Sequence, residues 1–283
     1  GVSCKFFSID LLSVKDLIYI NALSLRYALA SWSESSFMNP EEVGYYAEGD
    51  ILMPPQQGRN GVREEVLRWP QGHIPYRIDG YFSSVSLDEA IADYHRLTCL
   101  RFVAYNGQKD YISITSQNTG CWSSVGRIGG RQEVNLQTPG CVSKKGTVLH
   151  ELLHAVGFMH EQSRPERDDF VWVRYNNIKP GSESNFKKAS TKQTNDFNVP
   201  YDYNSVMHYS EYAFSKNQQK TIEPKVWSWK KHHPYMSLEN DSKKESQRHL
   251  SRSIELLTKS YIAVSEFTMR FEQQSKYQLP IGP

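Results

Sequence analysis

Three histidines and a glutamate occur together in the stretch HELLHAVGFMH, from His150 to His160. His150 and His154 are four residues apart, so on a helix their rings project from one face and can reach a common metal ion. Glu151 lies between them, where a carboxylate can act on a water molecule held by the metal. Taken alone, this pair fits an ordinary pair of structural histidines about as well as a zinc site.

The residues after the pair favour a catalytic zinc site. Gly157 can adopt a left-handed conformation that ends the helix and turns the chain, so that His160 returns to the same ion from another direction. Three neutral imidazoles leave a coordination position open for water, which is typical of a catalytic zinc. We expect one zinc ion per chain, with Glu151 as general base towards the metal-bound water.

Two helices and several strands are predicted to position this motif. GTVLHELLHAVGF has apolar residues around most of its circumference, which indicates a buried helix that carries the histidines. SLDEAIADYHRLTC begins with Ser and early acids and predicts a second helix. Short strands are predicted for IPYRI, YISIT and EVNLQ. The polar, Gly- and Pro-rich stretch before Trp69 predicts a linker outside the core.

Composition and charge restrict the function only coarsely. The chain has 283 residues, 39% hydrophobic and 23% charged, which is typical of a globular protein with a substantial core. A formal net charge of +2 argues against nucleic acid as the main partner. No stretch is long and apolar enough for a transmembrane segment. Cys121 and Cys141 bracket a Gly-rich segment that a disulfide would close, which leaves Cys4 and Cys99 without obvious partners.

Further motifs extend the pattern beyond the zinc helix. The stretch fits HExxHxxGxxH, and Glu161 follows its third histidine directly. In these residues the chain resembles the metzincin metalloproteases and, among them, the astacin family. LRWPQGHIPY, CWSSVGR and FMHEQSRPERDDFV resemble the same family, so the likeness spans Asn39 to Lys225. It implies an α+β fold of two lobes with a mixed sheet, and the activity of a secreted zinc endopeptidase that acts on proteins or peptides.

The resemblance also assigns roles to residues outside the zinc helix. SVMHY resembles the family's Met-turn, in which Met207 would lie beneath the zinc ligands. Tyr209 would be an additional, displaceable zinc ligand that then stabilises the oxyanion. Core packing of Met207 and a buried, hydrogen-bonded Tyr209 are the alternatives. Peptide substrate would pair with an exposed strand edge formed by Trp122, Ser123, Ser124 and Val125.

A pro-segment is predicted before the catalytic domain. YYAEGDI resembles the family's latency motif, in which Asp50 would bind zinc in place of the catalytic water. A solvated turn acid is the alternative. Arg59 followed by Asn60 offers a cleavage site for a trypsin-like protease. The freed ammonium of Asn60 would fold inwards towards Glu161, which is otherwise an ordinary exposed acid.

Four regions follow from these assignments. Residues 1–33 form a leader that resembles a truncated secretory signal, 34–59 the pro-segment, 60–225 the catalytic domain and 226–283 a divergent tail. The tail departs from the family pattern and lacks its closing cysteine. Two alternatives therefore stay open: a catalytically impaired protein that still binds peptides, and a structural zinc protein with a closed fourth ligand.

Overall fold

A computed structural model describes residues 28–33, 36, 38–53, 67–82, 86–191, 194 and 199–225. The first 27 residues, the predicted cleavage site at Arg59 and Asn60, and the predicted tail lie outside the described residues. Within the described part of the chain, no helix has the length and apolar character needed to cross a membrane.

One lobe is built on a five-stranded sheet and two helices. The strands are β1 (His73–Ile78), β2 (Arg101–Ala104), β3 (Tyr111–Thr115), β4 (Cys121–Ser123) and β5 (Arg131–Leu136), and the helices are α1 (Ser86–Leu97) and α2 (Lys145–Ala155). The spatial order of the strands is β2-β1-β3-β5-β4. Neighbours are parallel except β4, which runs antiparallel to β5 at one edge. This mixed sheet confirms the predicted fold class.

The predicted helices and three predicted strands are present, and their apolar residues form one core. In α1, Leu87, Ala90, Ile91 and Tyr94 are buried, at the spacing of one helical face. In α2, every residue from Thr147 to Ala155 is buried, as the apolar circumference of its sequence indicates. Strand β2 was not predicted, because its four residues RFVA are too few to establish an alternating pattern.

A second, smaller core lies in the C-terminal part of the described chain. It is flanked by the antiparallel strands β6 (Val171–Val173) and β7 (Ile222–Pro224). Its buried residues are Val171, Ile178, Phe186, Tyr201, Tyr209, Ala213, Phe214 and Ile222. Met207 packs in the first core, so the short segment from Met207 to Tyr209 joins the two. The two cores agree with the predicted two-lobed fold.

The predicted linker before Trp69 is wrong for residues 38–53, because this segment packs into the domain. Pro40–Val43 forms a 3-10 turn whose residues Glu41 and Glu42 are buried, and Ile51 is buried as well. The Pro and Gly residues of the segment form tight turns here and do not mark a flexible connection. Leu29, within the predicted leader, is 0% exposed in the larger core. The leader boundary at residue 33 stays a prediction.

A disulfide joins Cys121 to Cys141, as predicted, with Cα atoms 5.7 Å apart. It connects edge strand β4 to the turn that precedes α2. Cys99 is free among the residues that the structure describes. The bridge therefore fixes the edge of the sheet relative to the helix that carries the histidines.

Trp69 anchors the end of α2, and its replacement by Phe should destabilise the fold. The buried indole N–H donates to the carbonyl of Ala155 at 2.8 Å. Trp69→Phe leaves that carbonyl without its donor, so the free energy of unfolding should fall by about 1–3 kcal/mol. Urea denaturation measures this change. Trp172→Phe is the control: Trp172 is 52% exposed, and its replacement should cost about 0.5 kcal/mol or less. Equal losses in the two variants would contradict the prediction.

Candidate active site and metal centre

The three histidines of the motif converge at the end of α2. The helix ends at Ala155, and Gly157 has φ 115°, the left-handed conformation predicted for it. The chain then turns, so that the ring of His160 lies 5.1 Å from that of His150 and 4.7 Å from that of His154, between centroids. The Nε2 atoms of His150 and His154 are 3.1 Å apart.

Hydrogen bonds fix which nitrogen of each ring faces the centre. The Nδ1–H of His150 donates to the carbonyl of Val206 at 2.6 Å, and that of His154 donates to the carbonyl of Phe158 at 2.7 Å. The Nδ1–H of His160 donates to the carboxylate of Glu48 at 2.8 Å. These oxygens can only accept, so each Nδ1 carries the proton. The lone pair of each Nε2 is thereby left pointing inwards.

Asp50 brings a carboxylate to the same point as a fourth group beside the three imidazoles. Its carboxylate lies 2.9 Å from Nε2 of His150, 3.2 Å from Nε2 of His160 and 3.6 Å from Nε2 of His154. The ligand atoms of the four residues lie within 4.8 Å of one another, and all four side chains are buried. Asp50 is therefore no solvated turn acid; it faces the three rings directly.

This donor set fits a zinc ion. Three inward lone pairs and a carboxylate are all electron donors, and placed this close in a buried site they need a cation between them. Three imidazole nitrogens with one carboxylate oxygen make a four-ligand set that zinc commonly adopts. The outer hydrogen bond on each Nδ1 is the arrangement found around histidines that bind metals.

The pKa values of the centre reflect burial opposed by the carboxylates. Burial lowers the pKa of His154 to about 4, so this ring is neutral, as a ligand must be. Burial would also lower the pKa of His160, but Asp50 and Glu48 outweigh it and raise the pKa to about 10. Burial would raise the pKa of Asp50, but the histidines hold it well below its usual range. The carboxylates thus stabilise a positive charge between the rings. A metal ion therefore competes with a proton for Nε2 of His160.

Glu151 lies beside the centre without a hydrogen-bond partner. Its side chain is 0% exposed, and neither of its carboxylate oxygens has a partner within the described residues. Burial, together with the charges of Asp50 and Glu41, raises the pKa of its carboxyl well above the usual value. This carboxyl therefore binds a proton more tightly than an exposed glutamate does.

The Met-turn residues contact the centre where the two cores meet. The carbonyl of Val206 holds His150, and the carbonyl of Met207 accepts the backbone N–H of Glu161 at 2.9 Å. The side chain of Met207 is buried in the larger core. Tyr209 is buried with its ring centroid 4.8 Å from that of His160, and its hydroxyl donates to the carbonyl of Glu48 at 2.5 Å.

Comparison with known proteins agrees with this geometry. The family model Astacin, which describes a peptidase family, matches residues 61–243. The chain belongs to the astacin family. This is a family of zinc metalloendopeptidases, so the chain carries a zinc-dependent peptidase domain whose cofactor is zinc. The match extends to Lys243, past the predicted start of the tail, and the domain boundary at Lys225 stays a prediction.

Individual relatives support the assignment. The chain is 40% identical over 227 residues to the zinc metalloproteinase nas-4 of Caenorhabditis elegans, covering 75% of this chain and 71% of that protein. It is 44% identical over 196 residues to an astacin-like metalloendopeptidase of Mus musculus, covering 66% of this chain and 43% of that protein. A hatching-enzyme zinc protease of Oryzias latipes, high choriolytic enzyme 1, matches with a TM-score of 0.52 and 35% identity, over 66% of this chain and 92% of that one.

Glu161 of this astacin-family chain is part of an acidic cluster around Arg164. Its carboxylate accepts from Arg164 at 2.8 Å and from the backbone N–H of Asp202 at 2.9 Å. Arg164 also pairs with Glu166, and one carboxylate oxygen of Asp202 is buried without a hydrogen-bond partner among the described residues. Glu161 is therefore not an exposed acid. Burial raises the pKa of its carboxyl, although Arg164 opposes the shift.

The predicted substrate edge is shorter than expected. Strand β4 ends at Ser123, so Trp122 and Ser123 belong to it, whereas Ser124 and Val125 lie beyond its end. Gly126, with φ 72°, turns the chain away at this point. The outer edge of β4 is paired with residues 50–52. Ser123 N–H donates to the carbonyl of Asp50 at 2.9 Å, and Leu52 N–H donates to that of Ser123 at 2.9 Å.

Sequence reasoning missed several carboxylates that hold residues 38–53 in place. Glu41 accepts from the hydroxyl of Thr147 in α2 at 2.9 Å. Glu42 accepts from the backbone N–H and the hydroxyl of Ser210, directly after Tyr209. Burial, with the neighbouring Glu41 charge, raises the pKa of Glu42 to about 7. The density of acids in this stretch was the available signal, but a polar stretch without a repeating pattern usually indicates an exposed loop.

Zinc binding should depend on His160 but not on the nearby, partly buried His208. His160→Ala removes one of the three inward nitrogens, so dialysed protein should lose nearly all of its zinc. His208 donates its Nδ1–H to the carbonyl of Tyr209 and contacts the Tyr201 hydroxyl at 2.7 Å, so His208→Ala should keep the metal. Atomic absorption on both variants measures the zinc content. Equal zinc loss from the two would refute the assignment.

Proposed function

We propose that this chain is the latent precursor of a secreted zinc endopeptidase, with Asp50 as its inhibitory group and Glu151 as its general base. The observation that carries the proposal is the position of the Asp50 carboxylate. It is 1% exposed and lies within 3.6 Å of Nε2 of all three histidines. A carboxylate there occupies the place that the attacking water needs.

Glu151 and Tyr209 would carry the proton transfers and the charge stabilisation. Bound zinc supplies Lewis acidity, which lowers the pKa of water to about 7 and polarises the scissile carbonyl. Glu151 takes the proton of the attacking water and passes it to the leaving amine. Tyr209 carries a hydroxyl that can donate to the oxyanion once the carbonyl of Glu48 no longer accepts from it.

The pro-segment would block substrate as well as the metal. Residues 50–52 pair in parallel with β4, so they cover the edge along which an extended peptide would bind. Release of this segment exposes Trp122 and Ser123 of that edge and frees Tyr209 from Glu48. Tyr209 is then able to approach the metal as a displaceable ligand. One segment thus controls the metal position, the substrate edge of β4 and the hydroxyl of Tyr209.

Activation would follow cleavage between Arg59 and Asn60 by a trypsin-like protease. The new ammonium at Asn60 needs an acidic partner if it folds inwards. The cluster of Glu161, Glu166 and Asp202 around the cation of Arg164 offers an excess of negative charge for it. The buried oxygen of Asp202, which has no hydrogen-bond partner within the described residues, supports Glu161 and its surroundings as the receiving site.

Secretion is supported by the disulfide between Cys121 and Cys141. Disulfides of this structural kind persist in oxidising compartments such as the secretory pathway. The chain spans less than half of the mouse relative, so the substrates and partners of the whole protein are proposals as well. Protein or peptide substrates are the class that the family activity implies.

Glu151→Gln should abolish turnover without removing the metal. The amide cannot accept the water's proton, so kcat/KM of the trypsin-activated protein should fall by about 10²–10⁴-fold. Zinc content should stay unchanged, because Glu151 is not one of the zinc ligands. Hydrolysis of a fluorogenic peptide measures the rate. Glu223→Gln, at a partly exposed position of β7, is the control and should keep full activity. An unchanged rate in Glu151→Gln would rule out the general-base role, and an inactive parent would favour a peptide-binding protein.

Asp50→Ala should open the metal site without cleavage. In a chain whose cleavage site is blocked by Arg59→Gln, the uncleaved protein should be inactive with or without trypsin. Adding Asp50→Ala leaves the fourth position open, so a small zinc-binding inhibitor such as acetohydroxamate should bind the uncleaved double variant markedly more tightly than Arg59→Gln alone, even though residues 50–52 still cover β4. Titration calorimetry measures the binding, and electrophoresis verifies that the chain stays intact. A double variant that binds the inhibitor no better than Arg59→Gln while it retains zinc would overturn the role of Asp50.

A further inference from the structure

Glu48, two residues before Asp50, makes a set of contacts that no pattern in the sequence indicates. We propose that Glu48 is a positioning residue of the latent form, whose carboxylate orients His160 and strengthens its hold on zinc. This inference rests on the proposed latency of the chain, and it adds a second residue of the pro-segment to the control of the metal.

The contact between Glu48 and His160 differs from the corresponding contacts of the other two histidines. His150 and His154 donate their Nδ1–H groups to backbone carbonyls of the catalytic domain, those of Val206 and Phe158. His160 donates to a side-chain carboxylate of the pro-segment at 2.8 Å. Among the three ligands, His160 therefore has the partner that carries a full charge and that departs on activation.

A charged acceptor changes the properties of the ring that it holds. A carboxylate bonded to Nδ1–H fixes the tautomer and makes Nε2 a stronger electron donor towards a metal. The effect is large where water is excluded, and His160 is fully buried. The Glu48 side chain is only 18% exposed and also accepts from the hydroxyl of Ser163 at 2.8 Å, which orients the carboxylate.

The backbone of Glu48 is held as tightly as its side chain. Its φ of 51° is unusual for a residue other than glycine and must be maintained by surrounding contacts. Its N–H donates to Asn185 at 3.2 Å, and its carbonyl accepts the Tyr209 hydroxyl at 2.5 Å. Gly49 N–H donates to the carbonyl of Tyr46 at 3.0 Å, which closes the turn. Removal of the segment therefore withdraws the acceptors of His160 and Tyr209 in one step.

Competition with a chelator tests the role of Glu48 without measuring catalysis. The full chain carries Glu151→Gln to prevent self-cleavage, and the Kd for zinc is measured against a chelator of known affinity. Glu48→Ala should raise this Kd by about 10–100-fold, the usual cost of removing such an outer partner. Glu48→Gln, of nearly equal size, should raise it less because its amide oxygen can still accept from His160.

A matched control separates this role from general loosening of the pro-segment. Glu42→Ala removes another buried carboxylate of the segment, whose partners are the N–H and hydroxyl of Ser210 and not a histidine. It should leave the Kd for zinc unchanged. An unchanged Kd in Glu48→Ala, or an equal rise in Glu42→Ala, would overturn the proposal. If Glu48→Ala fails to fold, as judged by its thermal transition, Glu48→Gln decides: a Kd equal to that of the parent overturns it.

The outcome is independent of the test of latency. If Asp50→Ala leaves the zinc of the uncleaved chain closed to the small inhibitor, the proposed role of Asp50 in latency fails while the zinc affinities of the Glu48 variants stand. If Glu48→Ala binds zinc as tightly as the parent, the positioning role fails while Asp50 can still account for latency.

Discussion

Mutual repulsion between inward-facing lone pairs is the constraint on which the centre depends. The Nε2 atoms of His150 and His154 are 3.1 Å apart, and the carboxylate of Asp50 faces them. Buried electron donors at such distances are stable only around a cation. Each hydrogen bond from an Nδ1–H keeps the Nε2 lone pair of that ring facing the centre, and so favours metal binding. The surrounding elements supply the acceptors of these hydrogen bonds.

The acceptors of these hydrogen bonds come from widely separated parts of the chain. For this reason the sequence predicts the ligands of the site but not all of the groups that hold them. The spacing of His150 and His154 on a helix, and the turn at Gly157 that returns His160, are local properties and were correctly predicted. The carbonyls of Val206 and Phe158 are backbone groups, present in every residue, so no residue type indicates them. Glu48 lies more than a hundred positions before its histidine and could be found only from the fold.

The segment before Trp69 shows why polar composition misleads. Its acids predict exposure, because a buried charge is costly without partners. Here each acid finds donors on the catalytic domain: Glu41 on Thr147, Glu42 on Ser210 and Glu48 on Ser163. The burial is possible only because these donors converge in three dimensions. A single sequence contains no sign of that convergence, whereas the disulfide and the two main helices follow from local spacing.

The bridge between Cys121 and Cys141 links the proposed substrate edge to the zinc helix. It joins strand β4 covalently to the turn that precedes α2, so the edge and the helix cannot move far apart. A peptide paired with β4 would therefore lie at a distance from the zinc helix that a covalent bond helps to set. Chemical reduction should loosen the substrate edge, whereas the histidines keep the hydrogen bonds that orient them.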